Sequence, residues 1–501
     1  MQLEAEYLKL KEHFQEARLL ESALELLGWD ERTYIPPLGY THRGNQNALI
    51  AKLHHERISA PWVGDLLGEL TAEALKLPED HEIHVNTREW LRVYTRAKKV
   101  PVGLVEELNK TLVQSQQVWQ DARRENKFGT FAPLLQRVFE LKKQEALCVR
   151  PGGNVYEVLL DDYEPGFSSK KLDELILGLK PKLIELKGKI QLKQSEKPAI
   201  QLQGPFAVEK QKVLSELVAS FIGFDFEKGR LDTTAHPFCT GIGPGDCRIT
   251  TKFDESDFTS GLLGVMHEAG HGIYEQGMDS LKYGLPTGSF CSLGIHESQS
   301  RLFENLIGRS KKFWQWALPV AKRIFSPTLG NVSLEDFLYS INIVRPNLIR
   351  IESDELTYNF HIMLRYELEK AMLTGDLKVS DLPQAWNEKI KNYIGLDVPN
   401  DSKGCLQDIH WSAGLIGYFP TYMLGNLYSA QIMRHAKSEF GWHDSDIETF
   451  LSKLNPWLRK NIHTAGKTSS SMQLVEKITG EKLNSDAFLA HLEGKLEFES
   501  L

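Results

Sequence analysis

The sequence predicts a mostly α-helical protein, and three observations lead to this fold class. Over residues 3–27, apolar residues recur at three- and four-residue steps with glutamate and lysine between them, which is typical of an amphipathic helix. Similar stretches follow along most of the 501 residues. Residues 247–253 instead have the β-branched side chains and alternating polarity of a short strand. We therefore expect a large helical body with a small β element.

The elements can be placed in chain order from these patterns. Gly28 and the Pro36-Pro37 pair are expected to end the first helix. Residues 155–163 break the helical pattern, residues 195–205 are a polar connector, and the glycines of residues 241–245 are expected to form a flexible turn. Further helices are expected at residues 45–58, 71–77, 84–98, 104–126 and 170–193, and the chain after the strand is predicted to be almost wholly helical.

Composition and charge exclude several classes of partner. Lys and Arg number 59 against 67 Asp and Glu, so the net charge is -8 and no basic surface is expected to bind nucleic acid. The five cysteines have no CxxC spacing, which disfavours a disulfide framework or a structural zinc site. No apolar run reaches the roughly 18 residues of a membrane span. We expect a cytoplasmic protein that does not interact with membranes.

The segment that indicates chemistry is HEAGH, an HExxH motif at residues 267–271 in a helical context. Residues four apart lie on one face of a helix about 6 Å apart along its axis, so His267 and His271 can bind one Zn²⁺. Glu268 lies roughly 100° around the helix, where it can reach a water at the metal and act as general base. An amphipathic helix with two buried core histidines would carry the same motif.

A catalytic zinc site needs a third protein ligand and one open position. Glu297, 26 residues beyond His271 in a following helical stretch, is the predicted third ligand. His296 and Glu275 are rival ligands, because both lie near the motif or its continuation. The sequence therefore favours a His₂Glu site and leaves two other donors open.

Five short motifs occur along the chain, which we call landmarks. In chain order they are DCRIT (residues 246–250), HEAGH (267–271), HESQ (296–299), IRIESD (349–354) and GCLQDIHW (404–411). Together they resemble the Taq-type thermostable metallocarboxypeptidases, a family of HExxH exopeptidases, along nearly the whole chain. The only departure within them is Ser353, where the family pattern has alanine. Weaker similarities are Trp29-Asp30, the HPF of residues 236–238 and the NIH of residues 461–463.

The resemblance implies a fold, an activity and a set of partners. It implies one catalytic domain over residues 1–501 with a deep central groove, covered by amino-terminal helices of about residues 1–150, and a small β-sheet beside the HExxH helix. The expected enzyme is a homodimer that removes single residues from the free carboxyl ends of peptides. His267, His271 and Glu297 are then the metal ligands, for zinc or, functionally, cobalt or manganese.

A carboxypeptidase must recognise a terminal carboxylate, and an arginine can bind that group with two parallel hydrogen bonds. Arg350 in the IRIESD landmark is our first candidate, although it could instead pair with Asp354 one helical turn away. Arg248 is the second candidate, with pairing to Asp246 as the alternative. His236 is a third substrate-binding candidate, unless HPF is simply a turn with a packed phenylalanine.

His410 and Tyr422 are candidate catalytic donors to the oxyanion or to the peptide carbonyl. A buried histidine bonded to Asp408 and an ordinary core tyrosine would explain them equally well. Two other functions remain open from the sequence. An oligopeptide endopeptidase would share the zinc helix without needing a carboxylate anchor, and a metal-free helical peptide-binding scaffold would use the histidines only for packing.

Overall fold

Helices make up most of this computed structural model, which describes residues 2–197, 200, 202 and 204–496. Short 3₁₀ turns connect several of the helices. The helices that precede the sheet are α1 Gln2–Thr33, α2 Tyr40–Ile58, α3 Pro61–Ala74, α4 Glu82–Lys99, α5 Val102–Glu125, α6 Phe128–Val149, α7 Val155–Leu160, α8 Ser169–Gln194 and α9 Val208–Ile222.

Three predictions about this part of the chain were wrong. The first helix continues through Gly28 to Thr33, because a single glycine weakens a helix without ending it. The third helix begins at Pro61 and not near residue 71, because the prediction recognised only its more polar carboxyl-terminal half. Residues 155–160 are helical: Asn154 caps the amino end, and burial of four of the six residues hides the helical period. The connector at residues 195–205 lies partly outside the described residues, at 198, 199, 201 and 203.

A three-stranded sheet follows α9. Its strands are β1 Gly229–Thr233, β2 Cys239–Gly243 and β3 Asp246–Thr251, in the order β1-β3-β2. β3 pairs with β1 in parallel and with β2 in antiparallel orientation, so the predicted strand is central. The expectation of a turn over residues 241–245 was partly wrong, since Gly241 and Gly243 belong to β2, whereas Gly245, with φ of 82°, lies in the turn.

After the sheet the described chain is mostly helical, as predicted, with longer irregular connections at residues 342–349 and 404–419, and residues 497–501 lie outside the described part. Two π-helical segments, Leu302–Ile307 and Arg459–His463, directly continue α11 and α17. The helices are α10 Phe258–Gly277, α11 Leu293–Arg301, α12 Lys311–Ile324, α13 Leu334–Ile341, α14 Tyr358–Thr374, α15 Leu382–Tyr393, α16 Pro420–Phe440, α17 Ile447–Leu458, α18 Ser471–Thr479 and α19 Asp486–Glu493.

The hydrophobic core is divided into two clusters. The large one runs from α5 to α19 and includes β1, β3 and α10. The small one joins α1, α3 and α4 around Phe14 and Trp90, whose rings stack at 4.8 Å. We call α1 to α4 the roof and the remainder of the chain the body. Among the described residues, no helix combines the length and the hydropathy needed to span a bilayer.

Candidate metal centre and substrate groove

Two helices of the body bring together the predicted metal ligands. Asp257 caps the amino end of α10, which carries His267 and His271 one turn apart, with ring centroids separated by 5.0 Å. Glu297 projects from α11, and its Oε2 lies 3.9 Å from Nε2 of His267 and 3.5 Å from Nε2 of His271. One donor atom from each of the three residues lies within 4.8 Å of the other two.

Glycines set the distances between the helices at this centre. A Cβ on Gly270, inside the HEAGH motif, would come within 2.6 Å of the α11 backbone at Gln299 and Ser300. On the other side of α11, a Cβ on Gly425 of α16 would lie 2.4 Å from Cγ of Glu297. Because real Cβ atoms do not approach so closely, α10, α11 and α16 can pack at these distances only where a side chain is missing.

An ion-pair network supports two of the ligands. Glu304 Oε2 accepts a hydrogen bond from Nδ1 of His267 at 2.8 Å, and Arg301 donates to Glu297 Oε1 at 2.7 Å and to Glu304 Oε2 at 3.0 Å. Sequence reasoning missed Arg301 and Glu304. Their spacing of four and seven residues from Glu297, which places all three on one helical face, was the available signal.

These charges change the proton affinities at the centre. Burial works against the charged form, but the Arg301 guanidinium holds the pKa of Glu297 well below its usual range. Burial also lowers the pKa of His267, yet the carboxylates of Glu297 and Glu304 outweigh it and raise that pKa. Burial lowers the pKa of His271 to about 3. Glu297 is therefore a carboxylate and His271 a neutral imidazole at neutral pH, the forms that bind metal.

The two rival ligands lie beside the centre rather than in it. His296 contacts His271 through their Nδ1 atoms at 2.5 Å, and its Nε2 lies 2.7 Å from Glu275 Oε1. Both ring nitrogens of His296 are thus engaged with protein atoms. Within the described residues, the three-residue cluster suited to a metal consists of His267, His271 and Glu297.

Glu268 lies on the groove side of α10. It is 7% exposed, and burial raises the pKa of its carboxyl to about 7. The groove it faces has a volume of about 1130 Å³ and is lined by residues of both the roof and the body. Arg18 and Trp90 contribute from the roof, whereas the three candidate ligands, Tyr418 and Tyr422 contribute from the body.

The two candidate catalytic donors contact each other. Nε2 of His410 lies 3.2 Å from the Tyr422 hydroxyl. Tyr422 lines the groove, and His410 contacts it from behind the groove wall. The alternative contact to Asp408 is 4.0 Å from Nδ1 of His410, too long for a hydrogen bond, and that buried nitrogen has no partner. Burial lowers the pKa of His410 to about 3, so the ring is neutral.

Arg350 forms an ion pair with Asp408 and not with Asp354, the partner considered as the alternative to substrate binding. Its Nη2 lies 2.9 Å from Asp408 Oδ1, and its Nη1 donates to the Tyr358 hydroxyl at 2.8 Å. Arg365, which sequence reasoning missed, donates to the other Asp408 oxygen at 2.7 Å. The two arginines keep the pKa of the Asp408 carboxyl far below its usual range despite its burial. The IRIESD and GCLQDIHW landmarks thus meet in one buried ion pair.

The other two substrate-binding candidates lie near the sheet. Arg248 is held by both oxygens of Asp246, at 2.8 and 2.9 Å, and its guanidinium lies 4.2 Å from the centre of the Trp29 ring of the roof. His236 is exposed in the connection from β1 to β2, while Pro237 and Phe238 beside it line the groove. The DCRIT landmark therefore forms a contact between sheet and roof.

Comparison with known proteins gives this arrangement a family. A sequence profile described as carboxypeptidase Taq (M32) metallopeptidase matches residues 9–496. The chain belongs to the carboxypeptidase Taq family. Thermostable carboxypeptidase 1 of Thermus thermophilus is 42% identical over 508 residues, covering 98% of each chain. The predicted family and the assignment as a metallocarboxypeptidase are confirmed.

Solved structures in this family have the same fold. The carboxypeptidase of Deinococcus radiodurans R1 is 34% identical with a TM-score of 0.93, covering 99% of this chain and all of the other. Metallocarboxypeptidase 1 of Trypanosoma cruzi is 35% identical with a TM-score of 0.94, covering 98% and 99% of the two chains. The predicted helical fold with a small sheet beside the HExxH helix is confirmed.

The donor set of this carboxypeptidase Taq family member fits a divalent cation. Nδ1 of each histidine is hydrogen-bonded, to Glu304 or to His296, so that Nε2 of each ring remains available on the side of Glu297. Two imidazole nitrogens and one carboxylate oxygen form the donor set of many hydrolytic zinc sites, which keep a fourth position for water or substrate.

Proposed function

We propose that this metallocarboxypeptidase holds Zn²⁺ between His267, His271 and Glu297 and uses Glu268 as the general base. The observation that carries the proposal is the convergence of three donor atoms within 4.8 Å on the wall of the groove. Imidazole and carboxylate donors also suit cobalt and manganese, which we propose as functional substitutes. The substrates would be peptides with a free carboxyl end.

When bound, the cation would lower the pKa of a water and polarise the scissile carbonyl. Glu268 accepts the proton of the attacking water and transfers it to the nitrogen of the leaving amino acid. Its position supports this role, because it adjoins His267 in sequence and faces the groove, and a pKa that burial raises to about 7 suits a group that both accepts and releases a proton near neutral pH. The ion-pair network of Arg301 and Glu304 keeps the ligands in place during these transfers.

We propose that Tyr422 donates its hydroxyl hydrogen to the peptide carbonyl oxygen. With its proton on Nε2, His410 donates to the Tyr422 oxygen and leaves the phenol hydrogen directed at the substrate. The position of Tyr422 in the groove wall supports this role. His410 would act through direct contact with the phenol.

Arg350 remains our first proposed anchor for the terminal carboxylate, with Arg248 second and His236 as an additional contact. The Arg350 guanidinium lies 5.1 Å from the centre of the Tyr422 ring, directly behind the groove wall. A substrate carboxylate would replace the Tyr358 hydroxyl at Nη1, whereas Asp408 would continue to hold the other side of the guanidinium. Arg248 could act only after exchanging Asp246.

A digestion experiment tests the function. Purified protein with measured zinc content is incubated with a mixed set of peptides, each as free acid and as carboxyl-terminal amide, with and without chelator. We expect stepwise ladders from the carboxyl end of the free acids, no ladder from the amides, and loss of both zinc and activity with chelator. Internal cleavage of both forms would indicate an endopeptidase, and a protein with neither zinc nor hydrolysis would be a binding scaffold.

We also propose that residues 1–501 act as one catalytic domain that forms a homodimer in the cytoplasm. The family resemblance supports the dimer, and the free thiols of all five cysteines suit a reducing compartment. Light scattering during size-exclusion chromatography should give twice the mass of the 57.0 kDa chain. A mass equal to one chain at micromolar concentration would contradict the dimer.

A further inference from the structure

We propose that His296, backed by Glu275, is a positioning residue that fixes the orientation and tautomer of His271. The inference rests on the proposed ligand set, because it assigns His271 to the metal. It gives a role to His296 of the HESQ landmark and to Glu275, one turn beyond the HEAGH motif. The sequence had left both residues open as alternative metal ligands.

The hydrogen bonds determine where the protons are. Glu275 carries no hydrogen to donate when ionised, so at 2.7 Å it must accept the hydrogen of Nε2 of His296. In the tautomer with its hydrogen on Nε2, His296 has a lone pair on Nδ1, which faces Nδ1 of His271 at 2.5 Å. That contact requires a hydrogen on Nδ1 of His271 and leaves its Nε2 unprotonated. Nε2 is the atom that points toward Glu297, at 3.5 Å.

The surroundings prevent His296 from rotating away. Tyr274 stacks on its ring at 5.0 Å, and Phe290 contacts the ring edge-on at 5.1 Å. Its side chain is 12% exposed. A ring packed in this way retains one orientation, so both of its nitrogens face fixed partners.

Glu275 is held in turn by the sheet. Its carboxylate lies against Gly241 of β2, where a Cβ would come within 2.2 Å of Oε2. Because Gly241 has no side chain, β2 leaves room for the Glu275 carboxylate, which is the last group in the series His271, His296 and Glu275. Gly241, which was predicted to lie in a flexible turn, is instead a contact between α10 and the sheet.

The two histidine ligands are consequently oriented by different means. Nδ1 of His267 donates directly to the carboxylate of Glu304, whereas Nδ1 of His271 is connected to a carboxylate, that of Glu275, through the ring of His296. Partners of this kind typically change metal affinity about 10- to 100-fold when they are removed. We therefore expect a measurable loss of affinity when the acceptor at residue 296 is deleted.

Four variants of the full-length enzyme, two at His296, one at Glu275 and one control, separate positioning from general packing. His296→Leu deletes the acceptor, and His296→Asn retains an oxygen close to the position of Nδ1. Ser298→Ala is the matched control, because it removes two buried hydrogen bonds of the same helix, one to the Ile295 carbonyl and one from the Gln299 amide, and neither of them involves a proposed ligand. The zinc Kd is measured by competition with a chromophoric chelator, and the Co²⁺ form is examined by visible absorption.

We expect His296→Leu to weaken zinc binding about 10- to 100-fold and to alter the Co²⁺ spectrum. His296→Asn should recover part of the affinity, and Ser298→Ala should match the wild type. Glu275→Gln, whose amide oxygen can still accept from Nε2, should change the Kd less than His296→Leu does. If His296→Leu does not fold, the comparison of His296→Asn with Ser298→Ala decides.

Three results would contradict either the positioning role or the ligand set on which it rests. An unchanged Kd and an unchanged Co²⁺ spectrum in folded His296→Leu would refute the positioning role, whatever its activity. A wild-type protein that binds no stoichiometric zinc would refute the proposed ligand set itself. Weaker binding in Ser298→Ala equal to that in His296→Leu would also refute the inference, since helix packing would then explain the loss.

Discussion

The roof and the body differ in how completely their helices are buried. In the roof, α2 has no buried residue, and one cluster of eight hydrophobic residues joins α1, α3, α4 and Leu285. In the body, thirteen of the twenty residues of α10 are buried, including Glu268. The metal site needs fixed distances and is packed against the body on the sides away from the groove, whereas the covering of a groove must admit substrate and has fewer contacts. Local stability should follow the same division.

The largest expected effect comes from the body. Glu268→Gln should lower kcat by about 10²- to 10⁴-fold or more, because the amide cannot accept the proton of the attacking water. Zinc content and the melting temperature should stay close to wild type, since His267, His271 and Glu297 are unchanged. Activity within a few-fold of wild type would remove Glu268 from the mechanism.

Arg350→Ala should destabilise the body by about 3–5 kcal/mol, because it leaves Asp408 buried with one of its two arginines missing. If Arg350 also anchors the substrate, KM for free-acid peptides should rise while zinc content stays constant. Urea unfolding and steady-state kinetics measure the two effects. Arg345→Ala, at an exposed position, is the control. A stable variant with a wild-type KM would contradict both roles.

The stability of the body should depend on pH through Glu369. Burial raises the pKa of this carboxyl to about 7, although Trp411 Nε1 donates to it at 2.8 Å. The neutral form is therefore favoured in the folded state, and the unfolding free energy should fall by about 3 kcal/mol as the pH rises from below 4.5 through 7. Urea unfolding at several pH values measures this slope. Glu369→Gln should flatten it, and an equal slope in the variant would exclude Glu369 as its source.

Two helical glycines offer a matched comparison of body and roof. Gly425→Ala should cost about 1–3 kcal/mol and weaken zinc binding, because its Cβ would overlap Cγ of Glu297. Gly68→Ala in α3 meets nothing within 4 Å and should be stabilising by up to about 1 kcal/mol. Thermal unfolding with and without zinc measures both. Equal effects of the two substitutions would contradict the contrast in packing.

The smallest effect on the body is expected from the roof cluster. Phe14→Ala removes the ring that stacks on Trp90, so amide hydrogen exchange should accelerate in α1 and α3. Exchange in α10 and α11 and the zinc Kd should remain unchanged. Faster exchange throughout the body would mean that the roof and the body unfold as one unit.

Sequence reasoning was accurate where a local pattern determines the outcome. Helical periodicity and the HExxH spacing depend on neighbouring residues, and β3 was recognised from its β-branched run. β2 was missed because CTGIG has glycines where a strand usually has side chains, and its structure depends on pairing with β3. α7 was missed because it is buried on nearly all sides and shows no period.

Contacts between distant segments could not be predicted from spacing. Pairing of Arg350 with Asp354 one helical turn away was the alternative to a substrate-binding role, but residues 350–352 form a 3₁₀ turn. Asp354 instead accepts hydrogen bonds from the backbone at Leu356 and Thr357. Asp408, the actual partner of Arg350, is 58 residues away in the chain. By contrast, Glu304 and Arg301 could have been found, since they share one helical face with Glu297.

The contact of Trp29 with the sheet has a mechanical consequence. This roof residue lies against two guanidinium groups, those of Arg230 at 5.1 Å and Arg248 at 4.2 Å, which are neutralised by Asp232 and Asp246. Two directional bonds lie beside these ring contacts, since the Thr234 hydroxyl donates to the Arg32 carbonyl at 3.0 Å and the Tyr34 hydroxyl donates to Asp232 at 2.5 Å. A force that lifts the end of α1 from the sheet must therefore break polar and cation–ring contacts together.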